Sequence, residues 1–158
     1  MRIGTGWDRH VLREGRPCIL GGVRFDEAAS GPVGHSDADV VCHAVTDAVL
    51  GAAALGDIGT HFPDTDPRWE GADSLDLLAR SVGLVRDAGC RVGNVDLVVI
   101  AERPRIGPRV EQMRAALAEA LGVGVGRVSV KATRGEGLGP EGRGECITVQ
   151  AVALLEEE

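Results

Sequence analysis

The sequence predicts an α/β (α+β) two-layer sandwich: a mixed, mainly four-stranded sheet with three helices on one face and a small β-ribbon. Three observations carry this. Asn94–Ala101 and Val128–Thr133 are short runs rich in β-branched residues, and Cys146–Leu155 alternates apolar residues along its length. Two segments rich in Ala, Val and Leu, followed by a third further on, show helical spacing. Helices and strands do not alternate regularly, which excludes a doubly wound sheet.

In chain order, Arg2–Leu12 reads as a first strand whose glycines mark close backbone approach. Pro17–Phe25, with Gly21-Gly22 at its centre, reads as a hairpin, and Glu27–Gly34 as a loop. Ser36 reads as an N-cap, with Asp37 and Asp39 in the first turn of a helix that runs to Leu55. His61–Gly71 is polar and long for a plain connector, which points to a functional loop. Asp73 or Ser74 caps a second helix ending near Ala88, and Pro108 or Arg109 begins a third, ending near Leu121. Arg134–Gly144 reads as a glycine-rich loop, and Glu156–Glu158 as a solvated acidic tail. Residues 1–158 are expected to form one domain, without repeat or linker.

Composition excludes several function classes. The net charge is −7 and aromatic residues make up 3% of the chain, so neither phosphate neutralisation nor a base-stacking platform is available to a nucleic-acid binder. No apolar run is long enough for a transmembrane helix, and no membrane role is expected. The first residues lack the apolar stretch of a signal peptide, and Cys18, Cys42, Cys90 and Cys146 form no C-x-x-C pair. Both observations point to a cytoplasmic protein with buried, unpaired thiols.

Several residues can carry chemistry. Asp8 and His10 share one face of a strand, and Asp39, His43 and Asp47 share one face of a helix. If strand and helix adjoin, Asp8, His10 and His43 make a three-ligand set with an open fourth position, as in catalytic zinc sites. Asp47 or Asp39 would then orient His43. His35 precedes a helix N-terminus, a natural place for an anion, whereas His61 has no ligand partner at strand or helix spacing. Asp57, Asp64 and Asp66 lie on loops, where carboxylates grip hydroxyls or cations, or cap turns. Lys131–Gly139 ends a strand with hydroxyl, guanidinium and backbone donors for phosphate, and Glu136 can hold Mg²⁺ beside it.

Five blocks then combine: Gly6-Trp7-Asp8-Arg9-His10, His35-Ser36-Asp37-Ala38-Asp39, His43-Ala44-Val45-Thr46-Asp47, Gly56-Asp57-Ile58-Gly59 and Phe62-Pro63-Asp64-Thr65-Asp66. Together with Gly93-Asn94-Val95-Asp96, Lys131-Ala132-Thr133 and Gly142-Arg143-Gly144-Glu145, they make the chain resemble the 2-C-methyl-D-erythritol 2,4-cyclodiphosphate synthase family over its full length. The resemblance implies an enzyme of non-mevalonate isoprenoid biosynthesis, a metal-dependent phosphorus–oxygen lyase. The 2-phosphate of 4-diphosphocytidyl-methylerythritol 2-phosphate attacks its own β-phosphate, and CMP leaves. Zn²⁺ on Asp8, His10 and His43, and Mg²⁺ or Mn²⁺ on Glu136 are implied, with His35 and Ser36 contacting phosphate. Asp57 and Gly59 are implied to contact sugar, and Phe62, Asp64, Thr65 and Asp66 to form a mobile substrate loop. Ala101, Pro104, Ile106, Ala132 and Thr133 match the cytosine and phosphate pocket, and Arg143 lies with Glu145 near the three-fold axis. His35, Thr133 and Arg134 stand at the positions of catalytic contacts. The resemblance also implies a homotrimer whose sheets pack around that axis, with active sites between subunits. The chain departs from the family at Arg134-Gly135, where Thr-(Thr/Ser) is usual, and at Pro140, where an aromatic is common. A hydrolase using the same ligands and a non-catalytic metal-stabilised trimer are the rival readings.

Overall fold

A computed structural model describes residues 1–157. Twelve elements follow one another: β1 (Arg2–Glu14), β2 (Ile19–Leu20), β3 (Val23–Arg24), β4 (Ser30–Pro32), α1 (Val40–Ala52), α2 (Ile58–His61), α3 (Ser74–Asp87), β5 (Cys90–Ile100), α4 (Val110–Leu121), β6 (Val128–Thr133), α5 (Gly139–Gly142) and β7 (Cys146–Glu157). The main sheet has five strands in the order β4-β1-β7-β5-β6, and β2-β3 forms a separate ribbon. Only β5 and β6 run parallel; the other pairs in the sheet are antiparallel. The sheet is therefore mixed, with one strand more than expected. The addition is β4, which pairs Leu12–Glu14 of β1 with Ser30–Pro32, inside the stretch read as a loop. Three residues with a Pro and a Gly leave no periodicity to detect.

Helices α1, α3 and α4 cover one face: α1 over β1 and β7, α3 over β5, and α4 over β6. The core between the layers is aliphatic and includes Val45, Val49, Leu78, Leu97, Leu117, Ile147, Val149 and Leu155. The other face of the sheet is open, with Ile3, Trp7, Val11 and Val152 exposed on it. All four cysteines are buried and free.

The first strand is built to receive a helix. A Cβ on Gly4 would lie 2.1 Å from the Ala48 carbonyl oxygen, and one on Gly6 would lie 1.8 Å from that of Ala44. α1 thus rests on the bare backbone of β1, closer than any side chain permits.

Helix α1 starts at Val40, with Asp39 rather than Ser36 as its N-cap. The reason is burial. Asp39 is fully buried, and its Oδ1 accepts from Gly21 N (2.8 Å), Val41 N (3.0 Å) and Cys42 N (3.1 Å) while Oδ2 accepts from Gly22 N (2.7 Å). One carboxylate thus satisfies the helix N-terminus and fastens the β2–β3 turn, which a serine hydroxyl cannot do. The helix ends at Ala52, before the expected Leu55, and the short α2 and α5 carried no sequence signal. The acidic end is not a free tail: Glu156 pairs with Arg91, and Glu157 accepts from Arg2 Nε at 2.9 Å as β7 continues. Glu158 lies outside the described residues.

Gly6→Ala should destabilise the fold by about 3 kcal/mol and lower metal affinity in parallel, because α1 must lift from β1. Urea unfolding and metal titration of the same variant check both.

Candidate metal centre and substrate cavity

Because α1 sits directly on β1, His43 of the helix meets Asp8 and His10 of the strand. His10 Nε2 lies 2.8 Å and His43 Nδ1 lies 3.3 Å from Asp8 Oδ2, and the imidazoles meet edge to face with centroids 5.0 Å apart. These three are the one group of metal-ligating side chains that converges among the described residues. Burial by itself would raise the Asp8 carboxyl; the His10 and His43 rings, wherever they carry a proton toward it, outweigh that and hold the group well below the ordinary carboxylate range.

The partners of His43 differ from the expected ones. Asp39 is engaged with backbone, as described, and Asp47 accepts from Ile58 N at 2.8 Å, joining α1 to α2. His43 Nε2 instead lies 3.0 Å from both Ser36 Oγ and Ser74 Oγ. Ser74 Oγ donates to Asp37 Oδ1 at 2.5 Å, and Ser74 N donates to Asp37 Oδ2 at 3.2 Å. A serine whose proton goes to Asp37 must accept from its other neighbour, so the network assigns the ring proton of neutral His43 to Nε2. Nδ1 then presents a lone pair to the Asp8 carboxylate. Two acceptors 3.3 Å apart need a cation between them, either a second ring proton or a metal ion. That geometry fits a metal held by one carboxylate and two imidazoles. Sequence reasoning missed Ser74 as a partner of His43; its position at the start of α3 signalled only a cap.

A cavity of about 350 Å³ opens beside the triad, lined by His10, Gly34, His35, Ser36, His43, Ile58, Gly59, Phe62, Asp64 and Trp69 among others. Gly34 clears one wall, since a Cβ there would lie 3.2 Å from His10 Cε1. Phe62 packs edge-on against Trp69 at 5.0 Å, a contact with no linear signature. Gly71 N donates to the His35 carbonyl at 2.9 Å, tying the long loop back to the His35–Asp37 turn. Asp57 caps α2 by accepting from Thr60 N at 2.8 Å, and Asp66 pairs with Arg68 at 2.6 Å. Asp57, Thr65 and Asp66 do not line the cavity, whereas Gly59, Phe62 and Asp64 do. His61 stays outside it, with Nε2 2.8 Å from the Leu55 carbonyl.

The remaining predicted site residues gather elsewhere, at the ends of β5 and β6. Ala101, Pro104 and Ile106 are buried, leaving backbone groups as their available donors and acceptors. Ala132, Thr133, Arg134 and Glu136 are exposed, with Glu136 in a left-handed conformation at φ 52°. Arg143 is exposed and pairs with Glu145 at 2.7 Å. Three strand steps separate β1 from β6, about 14 Å. Within one chain, Glu136 therefore does not join the Asp8–His10–His43 cluster.

The profile of the YgbB family matches residues 1–156. The chain belongs to the YgbB family. Among YgbB-type relatives, a bifunctional enzyme IspD/IspF of Anaeromyxobacter is 59% identical over 153 residues, which are 97% of this chain and 39% of that protein. The 2-C-methyl-D-erythritol 2,4-cyclodiphosphate synthase of Gloeobacter violaceus is 55% identical over 157 residues, which are 99% of this chain and 96% of that one. Among solved structures, a 2C-methyl-D-erythritol-2,4-cyclodiphosphate synthase in its CDP-bound form superposes with a TM-score of 0.90 at 38% identity, covering 98% of this chain and 100% of that one. The chain thus spans less than half of the bifunctional relative and nearly all of the single-function one.

Ser74→Ala should lower affinity for a divalent transition ion by about 10-fold or more by releasing His43 Nε2, and should destabilise the fold by about 1–3 kcal/mol because Asp37 Oδ1 loses a buried donor. Competition between the protein and a chelator for Co²⁺, read from cobalt absorption, checks this.

Proposed function

We propose that the chain is a 2-C-methyl-D-erythritol 2,4-cyclodiphosphate synthase. The observation that carries this reading is the Asp8–His10–His43 triad beside an open cavity whose wall includes both of its histidines, in a chain that matches such a synthase over nearly its whole length. The reaction breaks the bond between the β-phosphorus and the oxygen bridging it to the α-phosphate. The 2-phosphate oxygen forms the new bond, and CMP leaves with the bridging oxygen. The nucleophile is already an anion, so no strong base is required; alignment and charge neutralisation set the rate.

Asp8, His10 and His43 would hold Zn²⁺ and Glu136 would hold Mg²⁺ or Mn²⁺, supplying Lewis-acid stabilisation to the phosphates. Ser74 and Ser36 fix the His43 ring. His35 and Ser36 contact phosphate from the cavity wall, and Phe62 with Trp69 excludes water from the methylerythritol portion. Gly59 contacts a sugar hydroxyl, of the methylerythritol portion or the ribose, from the cavity wall, and Asp57 beside it reaches such a hydroxyl from outside that wall, with Asp64, Thr65 and Asp66 on the covering loop. Backbone groups of Ala101, Pro104 and Ile106 read cytosine, because their side chains are turned inward. Ala132 and Thr133 contact phosphate. At Arg134 we assign that contact to the backbone N–H, since the guanidinium is paired with Glu102.

The synthase is read as a homotrimer. The three strand steps between β1 and β6, about 14 Å, and the exposed Ile3, Trp7, Val11 and Val152 on the open sheet face both favour a site shared between copies. Arg143 and Glu145 would then stand near the axis. Among the described residues no helix is long and apolar enough to cross a membrane, and we place the reaction in the cytoplasm.

³¹P NMR of protein, diphosphocytidyl substrate, Zn²⁺ and Mg²⁺ should give two coupled diphosphate signals and equimolar CMP, both absent with EDTA. His43→Ala should slow the reaction on the order of 10³-fold or more. An uncyclised diphosphate would favour a hydrolase, and no turnover a binding protein. Sedimentation should show three chains per particle; a stable, active monomer would refute the shared site.

A further inference from the structure

We propose that Glu102 and Arg134 form a latch holding the two loops of the nucleotide half-site together, so that Glu102 is a positioning residue for the nucleotide. This rests on the cytidine-nucleotide reading above.

β5 and β6 end side by side, with Ile100 opposite Thr133 and Ala101 N donating to the Thr133 carbonyl at 3.1 Å. Each strand then leaves the sheet into its own loop. Among the described residues no further backbone hydrogen bond joins these loops. Their anchors lie apart. Ala101 and Ile106 are set into the core, whereas Gly135 abuts α5, where a Cβ would lie 2.3 Å from Gly142 N. The side-chain bridge across the gap is Arg134, whose Nε donates to Glu102 Oε1 at 3.0 Å, with a second bond from Nη2 to the same oxygen.

The two partners are unequal. The Arg134 side chain is 64% exposed and that of Glu102 only 19%, and Glu102 Oε2 is buried without a donor. A carboxylate drawn out of water with one cationic partner holds its place only while the partner remains. Arg134 stands where the resembling family carries threonine. Restoring threonine alone would strand the Glu102 charge and free the base-reading loop. Removing both charges leaves nothing stranded.

A competing arrangement has Arg134 leave Glu102 to bind substrate phosphate directly. Glu102 would then compete with substrate, and its neutralisation would tighten binding. The two arrangements differ in sign.

The test is isothermal titration of the assembled protein with CDP and Mg²⁺, using wild type, Glu102→Gln, Arg134→Thr and the double variant. Zn²⁺ affinity and melting temperature are measured on each. The latch predicts CDP binding weakened about fivefold in Glu102→Gln and about tenfold in Arg134→Thr. It predicts that the double variant recovers from the Arg134→Thr level to that of Glu102→Gln, about fivefold below wild type, because no charge is stranded although the bridge stays absent. Zn²⁺ affinity should stay as in wild type in every variant, and melting temperature in Glu102→Gln and the double variant, which general loosening of the fold would not allow. Tighter CDP binding by Glu102→Gln, unchanged binding by Arg134→Thr, or a double variant no better than Arg134→Thr would each overturn it. If Arg134→Thr does not fold, Glu102→Gln alone decides the sign. Wild-type protein that bound no CDP would refute the synthase reading and the latch with it, an outcome distinct from binding that the variants leave unmoved.

Discussion

Everything at the candidate centre depends on one packing constraint, the seating of α1 on the backbone of β1. Two glycines separated by one residue leave the strand without side chains on its inner face, and the carbonyls of Ala44 and Ala48 occupy the space. Two and four residues beyond Gly6, the same face presents Asp8 and His10, and on the helix His43 immediately precedes Ala44, whose carbonyl lies against Gly6. Strand and helix can then offer ligands to one point in space. A methyl group on either glycine would open that distance, so the site is a consequence of the closest contact in the fold.

Around this contact the polar residues form one connected support. Buried Asp39 fastens the β2–β3 ribbon to the start of α1. Asp37 reaches Ser74 at the start of α3, and Ser74 reaches His43, so two helix N-termini and the metal-facing ring are linked through side chains. Ala38 adopts a left-handed conformation at φ 63° between Asp37 and Asp39, which sends one carboxylate to α3 and the other to the ribbon. This network fixes the His43 ring, whereas the Nδ1 of His10 is buried without a hydrogen-bond partner.

The sheet and its three covering helices were legible because long segments keep one period. β7 and β5 alternate over many residues, and α3 and α4 carry an apolar stripe. Short elements were not legible: β4, α2 and α5 are three or four residues long and are held by neighbours rather than by their own pattern. At the centre, Asp8, His10 and His43 could be read from strand and helix spacing, since those periods are fixed by backbone geometry. The partners of His43 could not, because Ser36 and Ser74 lie far apart in sequence and meet only through the loop between them. Asp39 and Asp47 share a helical face with His43, yet each finds backbone N–H groups nearer than the ring. Spacing identifies a shared face but not which donors reach it first.

One bound molecule would span two half-sites that a single chain holds three strand steps apart. The most direct measurement is a crystal structure with Zn²⁺ and CDP, with anomalous scattering collected at the zinc edge. A zinc peak should lie between Asp8 Oδ2, His10 Nε2 and His43 Nδ1. Cytosine should lie against Ala101–Ile106 of a neighbouring copy, with its phosphates pointing toward that peak. A zinc peak elsewhere, or CDP seated on one chain with its phosphates turned away from the triad, would contradict this arrangement.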